Sequence, residues 1–241
     1  HDDIVGGVVG HDSSLQPKQH DIALYGANPS RVETEPMPEG HAKPHEIPLP
    51  GASLDQLFRT ARSYNAFEPE ALPNALLHEM YELAKWGPTA SNGNPARFVF
   101  LVSPEAKARL APHMSSSNRP KTLAAPVNVI IAYDLDFWKL TPQLFPHKPE
   151  AGSWFSSSPE AAFESALRNG SLQAAYLMMA ARSLGLDCGP MSGFKPDGVN
   201  AEFFKDISWR ANFICNIGYG TTENLFGRLP RLPFDQACQV L

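Results

Sequence analysis

The sequence predicts an α+β fold. Two Ser-Pro-Glu sequences, at 103–105 and 158–160, combine a capping serine, a proline for the first helical turn and an acid beside the helix N-terminus, a combination typical of helix starts. Runs of apolar and β-branched residues at 97–102, 127–133 and 213–217 have the length and composition of strands. Because helices and strands do not alternate regularly, the pattern favours the α+β class over a parallel βαβ sheet.

Two helices are predicted before the first strand. Ser53 and Gln56 have the spacing of a capping box, and apolar residues recur on one side of the segment that follows, so a helix is expected to begin at Ser53. The next helix is expected over 73–85, where five apolar residues recur at helical spacing and Gly87 follows. Glycine at this position commonly ends a helix.

The longest predicted helix follows the second Ser-Pro-Glu sequence and runs to about Leu184, where Gly185 ends it. Residues 172–181 of this helix are apolar on nearly all sides. A helix that lacks a polar face is buried. This half is therefore expected to lie in the core or at a subunit interface.

The charge of the chain divides it into two parts. The 241 residues carry a formal net charge of -5, and residues 1–50 account for all of it, with three basic and eight acidic residues. The same 50 residues contain seven prolines and five of the eight histidines, without sustained periodicity. We expect a polar, acidic N-terminal arm over 1–50 that is not globular by itself, and a globular domain over 51–241.

Several classes of protein are excluded or disfavoured by composition. The neutral domain lacks the basic surface of a nucleic-acid-binding protein, and no apolar run approaches the roughly 20 residues of a membrane-spanning helix. Cys188, Cys215 and Cys238 are widely spaced and form no C-x-x-C pair, which favours free thiols in the cytoplasm over disulfides or zinc. Among the histidines of the arm, only His41 and His45 have ligand spacing, and Pro44 between them argues against the helix that would align them. No metal site is therefore expected.

The candidate site consists of anion-binding and amide-rich segments. A nucleophile elbow, a P-loop and a dinucleotide-binding glycine fingerprint are all absent from the sequence. The sequences R-T-A-R-S-Y-N (59–65), P-T-A-S-N-G-N-P (88–95) and R-L-P-R-L-P (228–233) contain arginines and side-chain amides, and 189–194 is read as another loop of small residues. Taken alone, each of these segments is explained as an ordinary turn or as solvated arginines. Together they suit a planar cofactor that bears a phosphate, because the arginines can bind the phosphate and the amides can bind the edge of a polar ring.

These segments, in this order, resemble the flavin-dependent nitroreductase superfamily. The resemblance covers about 53–241 and includes R-S-Y-N-A-F at 62–67, the 88–95 loop and P-M-S-G-F at 190–194. Longer runs at 144–147, 153–159, 168–176 and 185–194 are similar to the malonic semialdehyde reductases of that superfamily. The resemblance implies a mixed central sheet flanked by helices, with the long helix buried at a homodimer interface.

The resemblance also implies FMN as cofactor, bound between two protomers, and NADH or NADPH as electron donor. The implied cofactor-binding residues are Arg62, Ser63, Asn65, Ser91, Asn92, Asn94, Met191, Ser192, Gly193, Arg228 and Arg231. The backbone near Ser192 and Gly193 is expected to contact the reactive flavin nitrogen, and no side chain is assigned to catalysis. Arg97 and Arg168 are candidates for binding a substrate carboxylate.

Two positions depart from the pattern of the superfamily. Asn65 stands where many members carry a cation, and Asn94 stands where many carry glutamine. With Asn65 in place of a cation, phosphate is expected to bind more weakly unless other basic residues compensate.

The activity that the resemblance implies is a ping-pong reduction. A reduced nicotinamide would reduce FMN and leave, and a small-molecule acceptor would take its place. Malonic semialdehyde, reduced to 3-hydroxypropionate, is the first expectation for that acceptor. A nitroaromatic or quinone reductase of the same fold is the alternative, and a non-catalytic flavin-binding protein is the alternative from another class. The sequence does not choose between NADH and NADPH.

Overall fold

The computed structural model describes residues 48–241. The predicted acidic arm, with its five histidines, therefore lies outside the described residues except for its last three positions.

A four-stranded antiparallel sheet forms the centre of the domain, which confirms the α+β class. Its strands are β1 (Ala96–Leu101), β2 (Val127–Asp134), β3 (Asp187–Met191) and β4 (Trp209–Gly218), in the order β1-β2-β4-β3. Neighbouring strands pair antiparallel, with Phe98 opposite Ile131 and Val129 opposite Cys215. A parallel bridge joins Ser63 to Cys188 at the outer edge of β3.

Helices surround this sheet. They are α1 (Gly51–Leu54), α2 (Asn74–Ala84), α3 (Pro104–Leu110), α4 (Arg119–Ala124), α5 (Thr141–Leu144), α6 (Gly152–Phe155), α7 (Pro159–Ser183), α8 (Pro196–Phe203) and α9 (Phe234–Ala237). None of these helices, all within 48–241, combines the length and the apolar character that a membrane crossing requires.

Both faces of the sheet are covered, and residues that alternate along β2 point to opposite layers. Val129 and Ile131 pack with residues of α2 and α7, whereas Ile130 and Ala132 pack with residues of α3 and α8. Every residue of β2 is buried, which explains the nearly continuous apolar sequence of this strand. Cys188 and Cys215 are buried free thiols in the first layer, and Cys238 is exposed.

The long helix α7 begins and ends as predicted. The Ser158 hydroxyl accepts a hydrogen bond of 3.1 Å from the Ala161 N–H, which is the expected capping contact. After the last turn, Gly185 has a φ of +79°, a left-handed conformation that glycine adopts without the steric cost of a Cβ atom.

The apolar second half of α7 is buried on one side only. Ala174, Leu177 and Ala181 lie in the core, whereas Leu172 and Tyr176 are 46% and 42% exposed. The side that carries Leu172 and Tyr176 is thus an apolar surface of the chain.

The predicted start of the first helix is wrong. α1 begins at Gly51 with Pro50 in the N-cap position and continues as a π-helical turn over Asp55–Arg59. The Gln56 side chain does not close a capping box, because its amide donates to the Arg182 carbonyl of α7 at 2.6 Å. A hydrogen bond to a residue 126 positions later in the chain therefore replaces the capping contact that the local sequence predicts.

The prediction of a loop over 189–194 is wrong for its first three residues. Residues 189–191 belong to β3, where Pro190 lies opposite Cys215. Proline is tolerated there because β3 is at the edge of the sheet, where one side of the strand needs no ladder hydrogen bond. Only Ser192 and the residues after it form the loop.

Candidate functional site

An arginine-lined cavity of about 570 Å³ lies between the end of the first helix and the C-terminal segment. The basic residues that line it are Arg62, Arg182, Arg228 and Arg231, and within 48–241 no Asp or Glu lines it. We call this space the arginine cavity. Guanidinium groups without carboxylate partners favour an anionic group, and phosphate matches their fork of donors.

The arginines also tie together the two segments that form the cavity. The Arg62 guanidinium donates to the Phe226 carbonyl, and Arg228 donates to the Ala61 carbonyl at 2.9 Å. Each guanidinium carries five N–H donors, so one bond to a backbone oxygen leaves others for a ligand. Ser63 and Asn65 line the same cavity.

Lys121, which the sequence analysis did not single out, contacts a residue that lines the arginine cavity. Its ammonium donates to the Asn65 side-chain oxygen at 2.8 Å, and the Asn65 amide in turn donates to the Asn224 carbonyl at 2.9 Å. A cation from α4 is therefore held at the position where many superfamily members carry a cation in place of Asn65. The proline at 120, just after the first residue of α4, was the available signal for a helix there.

A buried amide pair holds the end of α4, on which Lys121 is carried. The Asn128 amide donates to Asn216 at 2.8 Å and to the Thr122 carbonyl at 3.0 Å. The Asn216 amide donates to the Lys121 carbonyl at 3.2 Å. Both asparagines are essentially inaccessible to solvent, so this network fixes the position of the lysine backbone.

The N-terminus of α4 contacts the loop at Gly193. The Gly193 carbonyl accepts from the Ser115 N–H at 3.0 Å and from the Asn118 amide at 3.2 Å. A Cβ atom at position 193 would lie 2.6 Å from the Asn118 Nδ2 and 3.0 Å from the Ser115 Oγ, so only glycine fits here without a shift. Met191 and Ser192 lead directly into this contact. Asn118, at the N-terminus of α4, thus contacts Gly193, and Lys121 of the same helix contacts Asn65 in the lining of the arginine cavity. In this way α4 connects 191–193 to the arginine cavity.

The loop at 88–95 lies elsewhere in the protomer. Asn92 and Asn94 line a second cavity of about 410 Å³, which shares no lining residue from 48–241 with the arginine cavity. Ser91, Asn92 and Asn94 have φ angles of 48°, 49° and 44°. Such left-handed conformations cost energy in residues other than glycine and are concentrated at functional sites.

Side-chain amides hold this loop in place. The Asn92 amide donates to the Leu144 carbonyl at 2.8 Å, and the Asn94 amide donates to the Asn92 side-chain oxygen at 2.9 Å. The Gln173 amide from α7 donates to the Asn94 side-chain oxygen, also at 2.9 Å. The two asparagines thus fix the loop to other segments of the same chain, and the structure does not bring them to the arginine cavity.

The two candidates for substrate binding are both paired with carboxylates. Arg97 forms an ion pair of 2.7 Å with Asp134, and these side chains are only 19% and 11% exposed. Arg168 pairs with Glu164 one turn earlier on the exposed surface of α7. Neither residue lines the arginine cavity.

Asp187 holds the turn at Gly220, from which the C-terminal segment departs. Its carboxylate accepts from the Gly220 N–H at 3.0 Å. Burial raises the pKa of Asp187, while the hydrogen bond from Gly220 and the nearby Arg182 act in the opposite direction. The pKa of Tyr64 is raised as well, first by burial and then by the charge of Asp187.

Known proteins share both the sequence and the fold. Residues 58–219 match the sequence model of the nitroreductase family. A Stenotrophomonas maltophilia protein, provisionally named NADH dehydrogenase/NAD(P)H nitroreductase, is 57% identical over 192 residues, which cover 80% of this chain and 97% of that protein.

Solved structures show the same fold at low sequence identity. A provisionally named nitroreductase from Bacillus subtilis has a TM-score of 0.71 at 21% identity, with 79% of this chain and 99% of that chain covered. A provisionally named nitroreductase from Exiguobacterium sibiricum, crystallised in complex with FMN, has a TM-score of 0.67 at 20% identity, with 77% and 96% covered.

Proposed function

This chain belongs to the nitroreductase family, and from that membership we propose that it is an FMN-dependent NAD(P)H oxidoreductase. The observation that carries the proposal is the arrangement of the arginine cavity and the loop at Gly193, which α4 connects. One end offers cations for a phosphate, and the other offers a backbone amide for a polar ring.

The residues of the arginine cavity fit the phosphate of FMN. Arg62, Arg228 and Arg231 supply guanidinium donors, Ser63 adds a hydroxyl, and Lys121 adds an ammonium through its contact with Asn65. The volume of about 570 Å³ lies within the usual range for cofactor and ligand sites. When bound, FMN supplies the hydride-transfer chemistry, and the protein supplies binding, orientation and electrostatics.

The backbone at Gly193 suits a contact with the flavin ring. Its carbonyl is held by two donors, and among the described residues its N–H has no hydrogen-bond acceptor. This N–H belongs to the peptide group between Ser192 and Gly193, and the Ser192 carbonyl of that group accepts from the Phe194 N–H at 3.0 Å. Hydrogen bonds on both sides of residue 193 therefore hold the loop while this donor stays available. We propose that the N–H groups near Ser192 and Gly193 hydrogen-bond the reactive flavin nitrogen.

We further propose that the site is completed in a homodimer. The loop with Asn92 and Asn94 lies apart from the arginine cavity of its own protomer, so a second copy would supply it. The surface proposed for this interface consists of apolar side chains that are exposed on α7, on α2 and just after α2. They include Leu172, Tyr176, Tyr81 and Trp86, the last of which is 77% exposed. Exposed apolar surface of this extent marks interaction sites.

For the acceptor, we propose malonic semialdehyde, reduced to 3-hydroxypropionate in pyrimidine degradation. The support is the similarity of the runs at 144–147, 153–159, 168–176 and 185–194 to RutE-type malonic semialdehyde reductases. The alternative acceptor is a nitroaromatic or a quinone, and the name of the Stenotrophomonas relative favours it.

Anaerobic titration of the purified protein tests, one after the other, the binding of FMN, its reduction by NAD(P)H and its reoxidation by an acceptor. The protein should take up one FMN per chain, and addition of NADH or NADPH should bleach the flavin absorbance. Failure to bind FMN contradicts the proposal, and binding without bleaching identifies a non-catalytic flavoprotein. Reoxidation rates with malonic semialdehyde and with a nitroaromatic then identify the acceptor class.

A further inference from the structure

We propose that the hydroxyl groups of Ser115 and Ser117 form a proton relay to the oxygen atom of the electron acceptor. This inference rests on the proposed function, because it assumes that the acceptor is reduced beside Gly193. It assigns a role to a segment, S-S-S at 115–117, to which the sequence pattern gave none.

The first step of the argument is the position of Ser115. Its backbone N–H donates to the Gly193 carbonyl at 3.0 Å, and its Oγ would lie 3.0 Å from a Cβ atom built on Gly193. The hydroxyl therefore faces the Cα atom of the glycine whose backbone is proposed to contact the flavin. The preceding residue, Met114, is buried in the core and forms a bridge with Phe194, which anchors the segment.

The second step is the connection from Ser115 to solvent. The Ser115 and Ser117 oxygens are 3.4 Å apart, and either can be the donor. Ser115 is half-buried, whereas Ser117 is exposed. The two hydroxyls thus lead from the Gly193 loop to bulk water, and proton transfer requires their oxygens to close from 3.4 Å to a hydrogen bond of about 2.5–3.0 Å.

The third step is the chemistry of the acceptor. When a hydride from the reduced cofactor adds to a carbonyl carbon, the π electrons of the C=O bond move to oxygen, and this oxygen needs a proton. The Asn118 amide beside Gly193 is not an acid. A hydroxyl both donates and accepts, so Ser115 can give its proton to the oxygen while it takes one from Ser117. Ser117 takes its proton from water, and the alcohol product has gained one hydride and one proton.

Three alanine variants test this relay: Ser115→Ala, Ser117→Ala and the control Ser116→Ala. Ser116 is exposed, and its hydroxyl has no hydrogen bond with the described residues, so this control removes an equivalent group from the same turn. The backbone bond to Gly193 survives in all three. We expect normal FMN content and melting temperature, and an unchanged rate of flavin reduction by NAD(P)H.

The expected difference appears in reoxidation. With whichever carbonyl, quinone or nitro acceptor the wild type turns over, Ser115→Ala should be slower by about tenfold, at the lower end of what positioned proton transfer contributes. Ser117→Ala should be slowed as well, and Ser116→Ala should match the wild type. Ferricyanide, which takes electrons without a proton on oxygen, should reoxidise all variants equally. The solvent deuterium isotope effect on reoxidation should change only in the two relay variants.

Two results would overturn the relay. Reoxidation at the wild-type rate in both variants would show that the hydroxyls deliver no proton, and equal slowing with ferricyanide would show that the substitutions disturb the site as a whole. A wild-type protein that binds no FMN, or is not reduced by NAD(P)H, refutes the proposed function at an earlier step and the relay with it. The stage at which the failure occurs therefore distinguishes the two proposals.

Discussion

The Lys121 ammonium donates a hydrogen bond of 2.8 Å to the side-chain oxygen of Asn65, across 56 residues of the chain. Asn65 lines the arginine cavity, so the contact brings a lysine from α4 to the edge of that cavity. We therefore propose that Lys121 supplies the positive charge that Asn65 lacks.

Replacement of Lys121 by methionine should weaken FMN binding by about 10- to 100-fold, because a hydrogen bond that involves a charged group contributes roughly 1.5–3 kcal/mol. Riboflavin, which lacks the phosphate, should bind both proteins equally. Fluorescence titration with the two flavins measures the difference, and Lys205→Met, at an exposed position, is the matched control. An equal loss for FMN and riboflavin would argue against a role in phosphate binding.

Replacement of Gly193 by alanine should lower FMN occupancy without unfolding the domain. The added methyl group would meet Asn118 Nδ2 at 2.6 Å and Ser115 Oγ at 3.0 Å, so the carbonyl of residue 193 would lose its two donors or the loop would move. Gly51→Ala is the control, because Gly51 does not line the arginine cavity and a Cβ atom there would meet only the end of the Arg59 side chain, at 3.9 Å. Flavin absorbance per chain and the melting temperature are the measurements. Full FMN occupancy in Gly193→Ala would contradict this account of the loop.

The contrast between α7 and the Lys121 contact shows what the sequence could and could not predict. The start of α7 was predictable, because Ser158 and the Ala161 N–H that it caps are only three residues apart, and the helix that follows is long, at 25 residues. Lys121 was not, because α4 has only six residues, too few for periodicity, and its partner Asn65 is distant in sequence. β3 was missed for a related reason: glycine and proline are rare in strands, and only pairing with β4 makes residues 187–191 a strand.

Replacement of Arg97 by methionine should destabilise the domain by about 3 kcal/mol, because it leaves the largely buried Asp134 without its ion-pair partner. Arg168→Ala should change stability by less than about 0.5 kcal/mol, since its pair with Glu164 is exposed. Urea unfolding measures both effects. The same variants test the predicted substrate role of these arginines: an increase in KM confined to carboxylate-bearing acceptors would support it, and a change in stability alone would not.

Replacement of Asp187 by asparagine should stabilise the domain at neutral pH and leave it unchanged in acid. Burial raises the pKa of Asp187 above its ordinary value of 3.8 in the folded state. Below that ordinary value the carboxyl is protonated in both the folded and the unfolded state, so its ionisation does not change the free energy of unfolding. As the pH rises through the raised pKa, the folded state ionises less readily than the unfolded state, so stability is lost until both are ionised.

Asparagine avoids this loss, and its side-chain oxygen can still accept from the Gly220 N–H. The difference in unfolding free energy between Asp187→Asn and wild type should therefore grow from pH 3.8 upward and then level off. Urea titrations across this range measure the difference, with Asp206→Asn as the control at an exposed site. If Asp187→Asn were instead less stable by a constant amount at neutral pH, the charge-assisted bond to Gly220 would outweigh the cost of burying the carboxylate, and Asp187 would act chiefly to hold the turn that leads to Arg228 and Arg231.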